Sequence, residues 1–224
     1  MAIPVDADRE GRRIPLHRDR IVRVAMDLAD RDGLDAVSMR KLGQELGVDA
    51  MALYRHVRNK DDLLDGLLEA ILSQVVHPTP GDDWKATVRA QAMSARAVML
   101  RHPWARQVIE DRGTGGPASM VHIEFVLGAL RDGGFSLELA HHSLHLLGSR
   151  IFGFAQDLFE ETGPDPTAEE AAIAARYLSG QFPHIAELAG SVSHEGVLGR
   201  CDDDVEFAFG LDLVLDGLER LRAG

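Results

Sequence analysis

The sequence has almost no cysteine, and it has no apolar run long enough to cross a membrane. Cys201 is the single cysteine in 224 residues, so an internal disulfide is excluded, and we interpret its side chain as a small apolar group of the core. Every apolar stretch is interrupted well before the roughly 20 residues that a spanning helix needs, and the first residues lack the apolar segment of a signal peptide. These absences predict a cytoplasmic protein without a membrane partner.

Sustained two-residue alternation of apolar and polar residues is also missing, so the sequence has no pattern typical of a half-buried strand. Apolar residues instead recur at spacings of three and four along most of the chain. The hydrophobic content of 45% in 224 residues is enough for a substantial core and for one or two domains. The predicted fold class is all-α.

Charge is unevenly distributed along the chain. The net charge of −12 would repel a polyanion. Residues 1–60, however, contain 12 Lys and Arg against 10 Asp and Glu, whereas residues 61–224 contain 12 against 26. Only the N-terminal part, with a balance of +2, is therefore electrostatically suited to a nucleic acid.

A helix-turn-helix is predicted from residue 38 onward. Ser38 is a favoured N-cap, and Gly47 is a suitable stop for the short amphipathic helix between them. A second helix is predicted over residues 49–58, with Leu53 and Val57 directed toward the core. Two short helices joined by a turn that contains glycine form this motif.

The outer face of the second helix carries side chains suited to DNA. An aromatic ring, a guanidinium, an imidazole and small apolar groups can contact phosphates, base edges and thymine methyls in a major groove. An ordinary corner in an all-α protein has the same helix-glycine-helix pattern, so the pattern alone leaves both interpretations open. The candidate DNA contacts on this face are Ala50, Met51, Tyr54, Arg55 and His56.

A longer set of short motifs resembles a known family. Residues 46–64 read LGV-x-x-x-x-LY-x-H-x-x-NK-x-x-LL, and Arg40-Lys41-Leu42 precedes them. From about Arg18 to Leu72 the chain resembles the DNA-binding domain of the TetR family of bacterial repressors, above all its tetracycline repressor branch. The resemblance implies a homodimeric, ligand-responsive transcriptional repressor that binds a palindromic double-stranded DNA operator. It also implies that Arg40, Tyr54, His56 and Lys60 occupy positions used for DNA.

Three segments are expected: a flexible tail (1–15), a three-helix helix-turn-helix DNA-binding domain (16–62) and a larger helical ligand-binding and dimerisation domain (63–224). A helix capped by Asn59 would link the two domains. Residues 181–204 are poorly patterned, and we expect them to be rich in loops. One of the later helices should bury the stripe Met120, Ile123, Leu127 and Leu130.

The C-terminal helix is apolar on two sides. One stripe consists of Phe207, Leu211, Val214, Leu218 and Leu221, while Phe209 and Leu213 point elsewhere. A terminal helix of a monomer should have a solvated face, so this pattern favours packing on both its own core and a second copy. A deeply buried helix in a single domain is the alternative. The resemblance favours the homodimer, because family members dimerise through two such helices.

A metal-dependent enzyme is the competing interpretation. His141 and His145 have the i,i+4 spacing of metal ligands, and Glu138 with His141 forms one Glu-x-x-His motif. A di-iron bundle needs that motif twice, and the sequence has no zincin motif, nucleophile elbow, Walker loop or GxGxxG. We therefore predict neither an enzyme nor a metal or other cofactor, and we interpret these histidines as interface or pocket residues.

The expected inducer is a mainly hydrophobic small molecule bound without metal. Compared with the tetracycline repressor branch, Gln91 stands at the drug-anchoring amide and Ala95 replaces an aromatic residue. No histidine precedes Gly113-Thr114, where the branch has a magnesium ligand, and Asp111 is more readily explained as a solvated carboxylate. The candidate ligand-binding residues are Leu68, Gln91, Met93, Ala95, Met99 and Ile123.

Overall fold

A computed structural model describes residues 15–79, 81, 83–113, 116–153, 167–191 and 203–223. These residues form eleven α-helices, one 3₁₀ turn and no strand, which confirms the all-α prediction. The chain divides into two compact units, residues 1–145 and 146–224. The predicted domain boundary at residues 62–63 lies inside the first unit and stays a prediction, and nearly all of the predicted tail lies outside the described residues.

The first unit begins with α1 (Arg18–Asp32), a 3₁₀ turn (Leu34–Ala36), α2 (Met39–Leu46) and the short α3 (Ala50–Leu53). Gly33 and Gly47 end α1 and α2 with φ angles of 83° and 66°, a conformation that L side chains rarely adopt. The side-chain oxygen of Ser38 accepts a hydrogen bond from the N–H of Lys41, as expected of an N-cap. The boundaries of α1 and α2 are therefore set by local sequence signals.

The core of these three helices consists of aliphatic side chains with no exposed surface or almost none. The predicted core residues Leu53 and Val57 have no exposed surface. Burial of such side chains is the main favourable term in folding, at about 25 cal/mol per Å² of apolar surface. The other members are Ile21, Ala25, Leu28 and Leu42.

Four further helices complete most of the first unit: α4 (Lys60–Leu72), α5 (Trp84–Arg101), α6 (Ala105–Arg112) and α7 (Pro117–Asp132). Helix α4 packs against α1, α6 and α7, and α5 packs against α7. Asn59 caps α4 as predicted, because its side-chain oxygen accepts a hydrogen bond from the N–H of Asp62.

The stripe predicted to be buried on α7 was partly wrong. Met120 is 51% exposed, and Ile123 and Leu127 are only half-buried. The buried side chains are Ser119, Val126, Ala129 and Leu130. The spacing of apolar residues predicted the helix correctly but not its buried face, because neighbouring faces of α7 are almost equally apolar.

Helix α8 (Leu137–Gly153) passes from the first unit into the second, which also contains α9 (Ala168–Gln181), α10 (Pro183–Ser191) and α11 (Asp203–Ala223). The expectation of a loop-rich segment over residues 181–204 was wrong for α10, which packs on α9 as a helical hairpin. Within the described residues, none of the helices is both long and apolar enough to cross a lipid bilayer.

Candidate nucleic-acid interface and ligand site

The corner between α2 and α3 depends on a glycine that the sequence analysis did not single out. Gly43 is buried in α2, and its carbonyl accepts a hydrogen bond of 2.9 Å from the N–H of Val48. A Cβ atom at Gly43 would lie 2.9 Å from the carbonyl oxygen of Val48 and 3.2 Å from the backbone nitrogen of Ala50. The two helices approach this closely because residue 43 has no side chain.

Helix α3 is shorter than predicted. The sequence indicated a helix over residues 49–58, whereas the α-helix ends at Leu53 and residues 54–56 form a turn. The N–H groups of Arg55 and His56 bond to carbonyls three residues back, at 3.4 and 2.9 Å. Bonds of this 3₁₀ type tighten the last turn of a helix. The side chain of Asp49 caps the start of α3 by accepting the N–H of Met51 at 2.7 Å.

The predicted outward face of α3 and its turn is exposed. Met51 is 71% exposed and Tyr54 is 43% exposed, so two large side chains are uncovered on this face. Arg55 is also exposed, whereas Ala50 and His56 are half-buried. An exposed thioether, a phenol and a guanidinium beside a buried Leu53 form a surface that can contact phosphates and base edges.

The other two candidate DNA contacts are also exposed. Arg40 lies in the first turn of α2, and Lys60 is the first residue of α4. The carboxylate of Asp62, two residues from Lys60, already has hydrogen-bond partners. It accepts from the N–H of Arg58 at 2.8 Å and from the guanidinium of Arg18 at 2.9 Å. These bonds hold the pKa of Asp62 below its ordinary value. All seven candidate DNA contacts thus lie on α2, on α3 and its turn, or at the start of α4.

The candidate ligand-binding residues are distributed over α4, α5 and α7. Gln91 is 2% exposed and Ala95 is 1% exposed, and both lie on α5. Leu68 on α4 is buried as well, at 6% exposure. Met93, Met99 and Ile123 are half-buried. Their role in ligand binding stays a prediction.

Two histidines that the sequence did not indicate, His77 and His122, lie close together, and His122 contacts Gln91. The side-chain nitrogen Nε2 of Gln91 is 3.1 Å from Nδ1 of His122 on α7. The ring of His77 is 5.7 Å from that of His122 and 4.9 Å from that of Phe125, and His77 Nε2 is buried without a hydrogen-bond partner. Burial, reinforced by the neighbouring His77, lowers the pKa of His122 to about 4. The imidazole of His122 is therefore uncharged at neutral pH.

A depression of about 290 Å³ lies elsewhere in the first unit, where α4, α6 and α7 meet. Only Leu68 of the predicted ligand-binding residues borders it, together with Asp65, Glu69 and Arg112. Arg112 donates to Asp65 at 2.7 Å and is paired with Asp61 at 3.3 Å, so its charge is already balanced by α4. The remaining lining residues are Gly113, Gly116, Pro117, Ala118 and Ser119.

The histidines of α8 are close to one another but do not form a metal site. The rings of His141 and His145 are 4.7 Å apart, and those of His141 and His142 are 5.6 Å apart. All three side chains are exposed. Among the described residues, no group of three or more His, Cys, Asp or Glu side chains is arranged to hold a metal ion.

Comparison with known proteins identifies both parts of the chain. Residues 21–67 match the family described as bacterial regulatory proteins, tetR family. Residues 77–222 match the tetracyclin repressor-like C-terminal domain. The two matches together cover most of the described helices.

Individual relatives extend over nearly the whole chain. The transcriptional repressor DrrR1 of Streptomyces coeruleorubidus is 32% identical over 225 residues, which is 95% of this chain and 81% of the relative. The class C tetracycline repressor of Escherichia coli is 30% identical, with 92% of each chain covered. The crystal structure of ActR from Streptomyces coelicolor with actinorhodin has a TM-score of 0.72 at 32% identity, and it covers 94% of this chain and 100% of ActR.

One further structure supports the fold alone. BioQ, solved with its double-stranded DNA operator, has a TM-score of 0.62 at 20% identity, covering 91% of this chain and 98% of BioQ. The relatives with higher identity are regulators rather than enzymes, which argues against the metal-dependent enzyme. The chain therefore belongs to the TetR family of transcriptional repressors.

Proposed function

We propose that this repressor acts in the cytoplasm as a homodimer that binds a near-palindromic operator and is released from it by a small molecule. The observation that carries the proposal is the exposed face of α3 and its turn, where Met51, Tyr54 and Arg55 are uncovered beside the fully buried Leu53. Lys60 adds a cation at the N-terminal end of α4, where the helix dipole also favours a phosphate. In this proposal Tyr54 and Lys60 contact phosphates and position the motif, whereas Arg40 and His56 contribute to the choice of operator sequence.

Helix α11 supports dimerisation. Phe207, Leu211, Leu215 and Leu218 are buried on one side. The opposite side exposes large apolar side chains in the part of the chain that the structure describes: Val205, Phe209 and Leu213, each between 55% and 62% exposed. The buried stripe is shorter than predicted, because Val214 is half-buried and Leu221, near the end of the helix, is 66% exposed. Leaving three such side chains in water is unfavourable, and a second copy of the same helix would cover them in a symmetric interface. The dimer is therefore proposed to form through α11.

The ligand proposed for the C-terminal domain is mainly apolar but carries an uncharged polar group. Ala95, Met93 and Met99 supply apolar surface, as predicted from sequence. Gln91 and the uncharged His122 add a donor and acceptor pair to this mainly hydrophobic set of residues. ActR, at 32% identity, has been crystallised with actinorhodin and with (S)-DNPA, which indicates the size of molecule that such a domain can hold.

The DNA part of the proposal is tested by selecting duplexes from a random library and footprinting the product. A dimer should protect two related half-sites whose centres are separated by about one helical turn or a multiple of it, roughly 34–36 Å. A single asymmetric half-site, protected by one chain, would contradict the homodimeric operator complex.

The ligand part is tested by calorimetry with actinorhodin and with a tetracycline, each with and without magnesium. We expect any binding to be independent of magnesium, because the position before Gly113-Thr114 carries Arg112 rather than a histidine. The variant Gln91→Leu, which keeps the size of the side chain but removes the amide, should weaken binding. Tight tetracycline binding that requires magnesium would refute the metal-free site.

A further inference from the structure

A chain of hydrogen bonds connects α1 to the junction between α5 and α6. The Oδ1 atom of Asp30, near the end of α1, is 2.7 Å from Nδ1 of His102 and 2.6 Å from Nε1 of Trp104. A carboxylate oxygen accepts, so both ring nitrogens donate to it. His102 is 4% exposed and Trp104 is 8% exposed, whereas the side chain of Asp30 keeps 32% of its surface.

The network continues beyond His102 to Gln74, whose amide nitrogen and oxygen lie 3.1 and 3.3 Å from Nε2 of His102. Because Nδ1 of His102 donates to Asp30, Nε2 of a neutral ring accepts, and it lies 3.1 Å from the amide nitrogen of Gln74. The amide oxygen of Gln74 accepts in turn from the guanidinium of Arg101 at 3.0 Å. Both ring nitrogens of His102, the indole N–H of Trp104 and the amide of Gln74 therefore each have a partner, and satisfied networks of this kind are rigid.

The network holds the start of α6, and a second contact holds its end. His102 and Trp104 flank the turn between α5 and α6. At the other end of the helix, Arg112 is bonded to Asp65 on α4. Helix α6 is thus tied to α1 at one end and to α4 at the other. Both α1 and α4 pack against the helix-turn-helix or lead directly out of it.

We propose that Asp30 is a positioning residue for operator recognition. By holding His102 and Trp104 on one carboxylate oxygen, it fixes α1, and with α1 the α2–α3 corner, on the α5–α6 junction. This inference rests on the proposed homodimer, in which each DNA-binding domain must be held at the spacing of two half-sites. Asp30 contacts no DNA in this scheme. Its removal leaves each α3 able to bind one half-site, but the two are no longer held at the correct separation.

The test compares two duplexes with the full-length protein: the selected operator, and the same duplex with one half-site scrambled. Three variants are measured by fluorescence anisotropy at low salt, where binding to a single half-site is strong enough to quantify. Asp30→Ala removes the acceptor, and Trp104→Phe removes one donor while keeping an aromatic ring. Asp27→Ala is the matched control, because Asp27 is an exposed carboxylate three residues earlier on the same helix.

We expect Asp30→Ala to weaken binding to the full operator about tenfold, the scale of a lost hydrogen bond to a charged group, and to change half-site binding by less than about twofold. Trp104→Phe should show the same pattern to a smaller extent. Asp27→Ala should leave the ratio of the two affinities unchanged. Circular dichroism shows whether each variant is folded. If Asp30→Ala does not fold, the comparison of Trp104→Phe with the unmodified protein decides the test.

Equal losses on both duplexes would overturn the inference, because Asp30 would then act on the DNA-binding surface itself. An unchanged ratio in both Asp30→Ala and Trp104→Phe would overturn it as well. If the unmodified protein binds the full operator no better than the half-site duplex, the proposed homodimeric function fails instead. The two failures are therefore distinguishable.

Discussion

The substitution Gly43→Ala tests directly how the helix-turn-helix is built. In the interior of an exposed helix, replacing Gly by Ala stabilises by about 0.5–1 kcal/mol, because the unfolded chain loses freedom. At Gly43 the new Cβ atom would lie 2.9 Å from the carbonyl oxygen of Val48 and 3.3 Å from Cα of Ala50. All of these neighbours are backbone atoms, so no side chain can rotate away.

The helices must therefore separate, and overpacking of this kind costs about 1–3 kcal/mol. The net effect of Gly43→Ala should be destabilisation by about 1–2 kcal/mol. The movement also displaces α3, so DNA binding should fall by more than the loss of stability explains. Urea denaturation gives the free energy of unfolding, and anisotropy with the selected operator gives the affinity, both at a temperature where the variant is folded.

Gly128→Ala is the matched control. Gly128 lies in the interior of α7, and a Cβ atom there would have no heavy atom within 4 Å. This variant should be as stable as the unmodified protein or more stable by up to about 1 kcal/mol, with DNA binding unchanged. If Gly43→Ala behaved like Gly128→Ala in both assays, the close approach of α2 and α3 would not be a constraint, and the reasoning would be refuted.

Three further predictions concern DNA affinity, pH and helix capping. Lys60→Ala should weaken binding to all DNA sequences alike and reduce the dependence of log K on log salt concentration by about one, and an unchanged salt dependence would exclude the phosphate contact. Arg40→Ala should instead change the preference among operator variants. The pKa of His122 is about 4 in the folded protein and an ordinary 6.5 in the unfolded chain. As the pH falls from 6.5 to 4, the unfolded chain is protonated at this histidine and the folded protein is not, so the free energy of unfolding should fall. The full pKa shift corresponds to about 3 kcal/mol, which the partial exposure of the ring reduces to about 1–2 kcal/mol. The free energy of unfolding of His122→Gln, measured with urea, should therefore depend on pH less by that amount. Asn59→Ala should cost about 1 kcal/mol in thermal or urea unfolding, since Asn59 accepts the N–H of Asp62 at 2.8 Å, and no loss would show that the cap contributes nothing.

Local signals in the sequence predicted most of the helices and several of their ends, but not the early end of α3 at Leu53. Ser38 and Asn59 are N-caps, and Gly33 and Gly47 end helices, because each acts on backbone groups within a few residues. The exposed face of α3 could also be predicted, since assigning Leu53 to the core leaves the opposite side outward. The same local reasoning failed on α7, where apolar residues lie on more than one face of the helix, and on α10, where the apolar residues have weak periodicity.

The tertiary structure alone decided which distant polar groups meet. Asp30 and His102 are 72 residues apart in sequence, and Gln91 and His122 are 31 apart. By itself, Asp30 is typical of a solvated carboxylate on a helix surface. Gly43 similarly has no special role until the turn after α2 brings the carbonyl oxygen of Val48 to 2.9 Å from the place that a Cβ atom would occupy. The sequence determines helices because their hydrogen bonds are local, whereas these contacts depend on how whole helices pack, which no short window of residues contains.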